Sequence, residues 1–140
     1  MKIFNTGELI GKTSRLLRDN LSKHLIVSKV KITPEQWIIL QILNNGSKNQ
    51  KELSEITLKT KATINSLISY LLKSDYIIKT KSNVDKRNTE ISISKKGLLL
   101  IKQSNKDALK SIKKATSGFS EKEIIALNNY LIRIQNNLLK

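Results

Sequence analysis

The chain has 140 residues, and 26 Lys+Arg against 11 Asp+Glu leave it a formal net charge of +15. That length holds one core, or one small domain with added helices that need a partner, and that charge favours polyanions such as nucleic acid. With no cysteine and one histidine, His24, disulfides, thiol redox sensing and thiolate metal sites are excluded, and a zinc sensor lacks ligands. No apolar run reaches the roughly 18–20 residues of a membrane span and no signal-peptide core opens the chain, so a cytoplasmic protein without a membrane partner is expected.

Residues 3–26 carry Ile3, Phe4, Ile10, Leu16, Leu17, Leu21 and Leu25 with charges between them, which predicts one long amphipathic helix loosened near Gly7 and Gly11. Covering a core and joining a second copy both suit that pattern. His24 near its end reads as a solvated or capping side chain rather than a ligand. The next helix has a marked start: Thr33 caps, Pro34 suits the first helical position, and Gln36 completes a capping box. Trp37, Ile38, Leu40, Ile42 and Leu43 are its expected buried side, and Asn44-Asn45-Gly46 ends it. Trp37 is read as a core anchor, with the wall of a ligand pocket as the alternative.

Asn49 with Glu52 forms a second capping box for a short helix through Leu53 and Ile56. The turn Thr57-Leu58-Lys59 leads to a helix over 60–73 capped by Thr60, whose apolar positions Ile64, Leu67, Ile68, Leu71 and Leu72 share one face. Two helices joined so tightly predict a helix-turn-helix, whose second helix enters a major groove. Its outward face carries Ala62, Asn65, Ser66, Ser69, Tyr70 and Lys73, and no carboxylate lies between Glu55 and Asp75. Ordinary solvated faces carry Glu–Lys pairs, whereas a face that meets phosphates can hold few acids.

The period then changes. An extended run from Tyr76-Ile77-Ile78 and the alternation of Ile91 and Ile93 with Glu90 and Ser92 predict a hairpin, tipped by Ser82-Asn83-Val84-Asp85-Lys86-Arg87-Asn88. A tip of that size is long for a tight turn, and Arg87 suits a narrow minor groove. Asp85 is placed as the carboxylate that shapes the loop or pairs with an arginine. Ser94 caps a helix from about Lys95 to Thr116 with apolar marks at Leu98, Leu99, Ile101, Leu109 and Ile112, too polar in its middle for full burial. Ser120 with Glu123 opens the last helix, whose stripe is Ile124, Leu127, Leu131, Ile134 and Leu138. Apolar stripes left over at both ends of the chain imply a helical interface between two copies.

In this order the elements resemble the MarR family of transcriptional regulators over nearly the whole length. The segment DKRNTEISISKKG is similar to that family's wing pattern, here Asp85, Arg87, Ile93, Ser94 and Gly97; ITPEQWIIL and KELSEI with KATINSLISYLLKSDYIIK match its second helix and its helix-turn-helix. The resemblance implies a homodimer on a pseudo-palindromic operator in double-stranded DNA, commonly a repressor, and in many members release by a small phenolic or lipophilic anion. It makes the helix from Thr60 the recognition helix, Arg87 the minor-groove arginine and Asp85 its support. Ser66 stands where many relatives have Arg, and Asp75 where a glycine often ends the helix.

The expected architecture is therefore mostly α with a small β-hairpin wing: a winged helix-turn-helix (32–97) between an N-terminal helix (1–31) and C-terminal dimerisation helices (98–140). The expected DNA-binding residues are Lys48, Gln50, Thr60, Lys61, Ala62, Thr63, Asn65, Ser66, Ser69, Lys73, Asn83, Lys86 and Arg87. No cofactor, metal or catalytic residue is expected, since no histidine pair, phosphate loop or recognisable carboxylate pair is present. A non-specific nucleic-acid-binding or architectural protein, or a winged-helix adaptor for other proteins, is the alternative.

Overall fold

The computed structural model describes residues 2–81 and 89–140. A short 3-10 turn, Lys2–Phe4, precedes α1 (Asn5–Val27), α2 (Pro34–Asn44), α3 (Gln50–Thr57), α4 (Lys61–Lys73), β1 (Ile77–Lys81), β2 (Thr89–Ile93), α5 (Lys95–Ala115) and α6 (Glu121–Leu138). The expected mostly helical chain with one antiparallel hairpin is what forms.

Helix starts follow local chemistry. The Thr33 hydroxyl accepts from the Gln36 backbone N–H while the Gln36 side chain accepts from Thr33 N–H, and Asn49 with Glu52 and Ser120 with Glu123 repeat the box. Thr60 and Ser94 cap α4 and α5 by accepting from the Thr63 and Gly97 N–H groups. Each cap contributes about 1 kcal/mol by satisfying donors that the first helical turn leaves over. Chain reversal uses left-handed residues at Lys29 (φ 65), Leu58 (φ 57) and Asp75 (φ 62). Asp75 thus adopts the conformation that a glycine favours, and its short polar side chain tolerates it.

One core joins Leu25 and Val30 to Ile39, Leu40 and Leu43 of α2, Leu53 of α3, Ile64, Ile68 and Leu71 of α4, Ile77 and Ile91 of the hairpin, and Leu100 and Ile101 of α5. In α2 the buried stripe is Gln36, Ile39, Leu40 and Leu43. Ile38, expected inside, is 42% exposed, and Ile56 of α3 is 53% exposed. A helix advances about 100° per residue, so a stripe through positions 36, 39, 40 and 43 turns position 38 away. Trp37 is half-buried against the core, and its Nε1–H donates to Ser104 Oγ at 3.0 Å.

The centre of α5 differs from the sequence expectation. Leu98, Leu99, Leu109 and Ile112 are exposed, and the buried stripe is Gly97, Leu100, Ile101, Ser104, Ala108 and Ser111. Small side chains let α5 lie closely along α1, and their polar atoms are satisfied. Ser104 Oγ donates to Leu100 O at 2.8 Å, and Asn20 Nδ2 of α1 donates to Ser111 O at 2.8 Å and to Ser111 Oγ at 3.0 Å. A buried hydroxyl that keeps its hydrogen bonds costs little. By contrast, no residue of α6 is buried.

Arg18 of α1 grips Glu35 in the first turn of α2 through Nε–Oε1 at 2.5 Å and Nη2–Oε2 at 3.1 Å. The hydrogen bond from Arg18 is the main reason the Glu35 carboxyl titrates below its ordinary 4.5. A carboxylate whose pKa is depressed by folding adds stability that is full above that ordinary value and is lost as pH falls below it. Arg18→Ala is therefore expected to lower the melting temperature near neutral pH, with the loss shrinking progressively as the pH falls below 4.5 and through the depressed Glu35 value. A loss that stays the same as the solution is acidified would contradict the assignment.

Candidate nucleic-acid interface

The reading head is built from α3, the turn after it and α4. The turn is Leu58-Lys59-Thr60, one residue later than expected, because Thr57 closes α3 and its hydroxyl donates back to Leu53 O at 2.7 Å. Ser54 Oγ donates to Lys59 O at 2.5 Å, clamping the turn from the α3 side. Leu58 occupies the left-handed cap and is 69% exposed, so it bears conformational strain with little burial in return. Leu58→Gly should stabilise the fold by about 1 kcal/mol; a lower midpoint in urea would contradict that.

The outward face of α4 forms as expected. Lys61, Ala62, Thr63, Asn65, Ser66, Ser69, Tyr70 and Lys73 are all exposed, while Ile64, Ile68 and Leu71 point into the core. Thr60 both caps the helix and donates its hydroxyl proton to Thr63 Oγ1 at 3.0 Å, which leaves the Thr63 proton available outward. Gln50, the first residue of α3, donates from Nε2 to Asn65 Oδ1, so these two predicted contact residues touch each other. Tyr70 lies at the edge of the face and its hydroxyl donates to Lys31 O at 2.8 Å, tethering α4 to the α1–α2 linker. Neither of those two bonds was visible in the sequence, since each joins distant segments.

β1 and β2 pair antiparallel with Ile77 opposite Ile93 and Lys79 opposite Ile91. The linker before α3 adds a stub to this sheet: Lys48 N–H donates to Ile91 O at 3.0 Å and Ile91 N–H to Lys48 O at 2.8 Å. Lys48 is thus half-buried at the base of the hairpin, with Nζ 3.5 Å from Ser47 O. Its backbone fixes the hairpin to the reading head, a role its charge did not announce. Asn83, Asp85, Lys86 and Arg87 lie outside the described residues.

Lys96 Nζ donates to Ser74 O at 2.8 Å and sits 4.9 Å from the centre of the Tyr76 ring, closing the far end of α4. His24 Nδ1 lies 2.8 Å from Asn20 O of its own helix. Among the described residues no group of three or more His, Cys, Asp or Glu side chains is placed to hold a metal, and no helix is long and apolar enough to cross a membrane. An apolar cleft of about 570 Å³ opens between α1, α2 and α5, lined by Leu17, Leu21, Trp37, Ile38, Ala108 and Ile112 among others. Trp37 therefore serves as a core-side anchor and as a wall of a cleft at once.

Residues 31–88, which take in α2, the reading head and β1 and stop before β2, match the model of the MarR family. Over that stretch the chain is similar to the MarR family. Among curated relatives, the HTH-type transcriptional regulator SarZ of Staphylococcus aureus is 30% identical over 94 residues, covering 66% of this chain and 57% of that protein. The chain thus spans little more than half the length of that MarR-family relative. In fold it is similar to a mutant MarR from E. coli complexed with operator DNA, at a TM-score of 0.85 and 17% identity over 95% of each chain. It is also similar to BpsR of Bordetella bronchiseptica, whose DNA binding is regulated by 6-hydroxynicotinic acid, at a TM-score of 0.83 and 17% identity over 93% of this chain and 92% of that one.

Proposed function

We propose that this chain is a MarR-family regulator: a homodimeric, sequence-specific reader of double-stranded DNA that acts as a repressor. The observation that carries the reading is the exposed face of α4, which combines small hydrogen-bonding side chains with Lys61 and Lys73 and holds no carboxylate. Lysines supply salt-dependent affinity for phosphates, and hydroxyl and amide groups address base edges. Lys48, Gln50, Thr60, Lys61, Ala62, Thr63, Asn65, Ser66, Ser69 and Lys73 form the described part of the proposed interface. Asn83, Lys86 and Arg87, with Asp85 in support, complete it from the hairpin tip.

Two features support a dimer. Ile3, Phe4, Leu9 and Ile10 at one end of the chain are exposed, as are Ile125, Leu127, Tyr130, Ile132 and Leu138 of α6. Apolar surface spread over two terminal helices suits a shared helical interface. On this reading residues 1–31 and 98–140 join the copies and residues 32–97 read DNA, with the two α4 helices about 34 Å apart in successive major grooves. The apolar cleft beside Trp37 supports a small phenolic or lipophilic anion as the releasing ligand, acting by changing the separation of the two reading heads.

Arg87→Ala tests the hairpin's part in this reading. Operator affinity is expected to fall about tenfold or more while the dimer stays intact, as a lost groove contact requires. Unchanged affinity in a gel shift would contradict the assignment of Arg87 to the minor groove. Because the basic residues are spread along the whole chain, scrambled duplex and RNA are the necessary competitors: equal affinity for them favours a non-specific nucleic-acid binder.

A further inference from the structure

Residues 28–33 join α1 to α2, and side chains from two other helices hold them in place. Ser28 Oγ donates to Leu25 O at 2.7 Å and closes the end of α1, Lys29 turns the chain in the left-handed conformation, and Val30 is buried in the core. From α5, Gln103 Nε2 donates to Ser28 O at 2.9 Å. From α4, the Tyr70 hydroxyl donates to Lys31 O at 2.8 Å. Both acceptors are carbonyl oxygens, so the hydroxyl and the amide can meet them only as donors.

We propose, resting on the DNA-reading homodimer above, that the Tyr70 hydroxyl is a positioning group that sets the spacing between the two half-sites and does not itself contact DNA. Tyr70 is exposed on α4, where a phenol would ordinarily count among the phosphate contacts. Its proton is instead committed to the linker. Packing alone does not hold the ring, because a cavity of about 510 Å³ opens beside it, lined by Ile26, Val30, Ile32 and Gln36 among others. The hydrogen bond is therefore the constraint. It ties α4 to the segment that leads directly from α1, and α5 packs along α1. In the proposed dimer α1 and α5 belong to the part that joins the copies, so the angle between α4 and this linker decides where each α4 stands relative to its counterpart. Hinges work through a few loop residues that absorb changes in φ and ψ, and side-chain bonds to two of this linker's carbonyls oppose such changes.

The test uses the full-length protein and the palindromic duplex that wild type enriches from a randomised pool. It is compared with the same duplex carrying one base pair more or one fewer between the half-sites, and with a duplex that has a single half-site. One added base pair moves a half-site by about 3.4 Å and turns it by about 35°. Fluorescence anisotropy at one salt concentration is expected to show wild type favouring the enriched spacing. Tyr70→Phe keeps the ring and should reduce that preference about fivefold, the size of one hydrogen bond lost in each copy. Its binding to the single half-site should equal that of wild type. Gln103→Leu, which releases the linker from the α5 side, should relax the spacing in the same way. An unchanged spacing preference in Tyr70→Phe overturns the proposal. So does a loss of affinity that is equal on every duplex, because that marks Tyr70 as a direct DNA contact. Wild type indifferent to spacing overturns the two-headed DNA reading itself, and the proposal with it.

Discussion

Gly97→Ala is expected to cost the fold about 3 kcal/mol, the largest loss foreseen for a single methyl group in this chain. A Cβ at that position would lie 2.2 Å from Tyr76 O, 2.7 Å from Ile93 Cγ1 and 3.2 Å from Tyr76 C. Two of those three atoms are backbone, so no side-chain rotation relieves the clash. Nor is the Tyr76 carbonyl free to retreat, because it accepts from Ser94 N–H at 3.0 Å and holds the start of α5 against the start of β1. Ser94 in turn caps α5 and donates its hydroxyl to Asp75 O at 2.6 Å. Overpacking a core by a methyl group typically costs about 1–3 kcal/mol, and an obstructing backbone puts this site at the upper end. Against a net stability of about 5–15 kcal/mol for a domain, that is a large share. A urea midpoint equal to that of wild type would show that the α4–β1–α5 junction is looser than described.

Ser66→Glu should weaken duplex binding by about tenfold to a hundredfold and leave the melting temperature unchanged. Ser66 is exposed on α4, and Glu forms helix at least as well as Ser, so the fold has no reason to respond. The carboxylate would stand on a face that has none, where it repels phosphates instead of meeting them. Ser66→Arg runs the other way: it adds a guanidinium that can take up a phosphate or a guanine edge, and should tighten binding. Fluorescence anisotropy with one duplex at fixed salt reads both changes. Equal affinities for all three proteins would mean that this face of α4 does not meet DNA.

Much of the fold was legible because its signals are local. Thr33, Asn49, Thr60, Ser94 and Ser120 all cap helices as their side chains and spacing predict, since a cap needs only the next three residues. The α4 face was legible for a related reason: Ile64, Ile68 and Leu71 fix one side, and what remains must face outward. Non-local structure was less visible. Beyond Ile101 the buried stripe of α5 is Ser104, Ala108 and Ser111, with no large apolar residue, so a hydrophobicity pattern passes over a face that packs closely along α1. Ile38 and Ile39 are chemically alike, and only the placement of α1 and α5 decides which one is buried. Lys48 reads as one more surface cation until its backbone is seen paired with Ile91. The Gln50–Asn65 contact depends on how two helices meet and has no motif of its own.

In the proposed function two copies of the α4 face read one duplex together. Footprinting of the full-length protein on fragmented host DNA tests it most directly, with the salt concentration varied. Protected sites with two-fold symmetry are expected, with half-sites centred about 34 Å apart and affinity that falls by orders of magnitude between low and high salt. Protection without symmetry or sequence preference, or half-sites at a spacing that is no multiple of a helical turn, would contradict it.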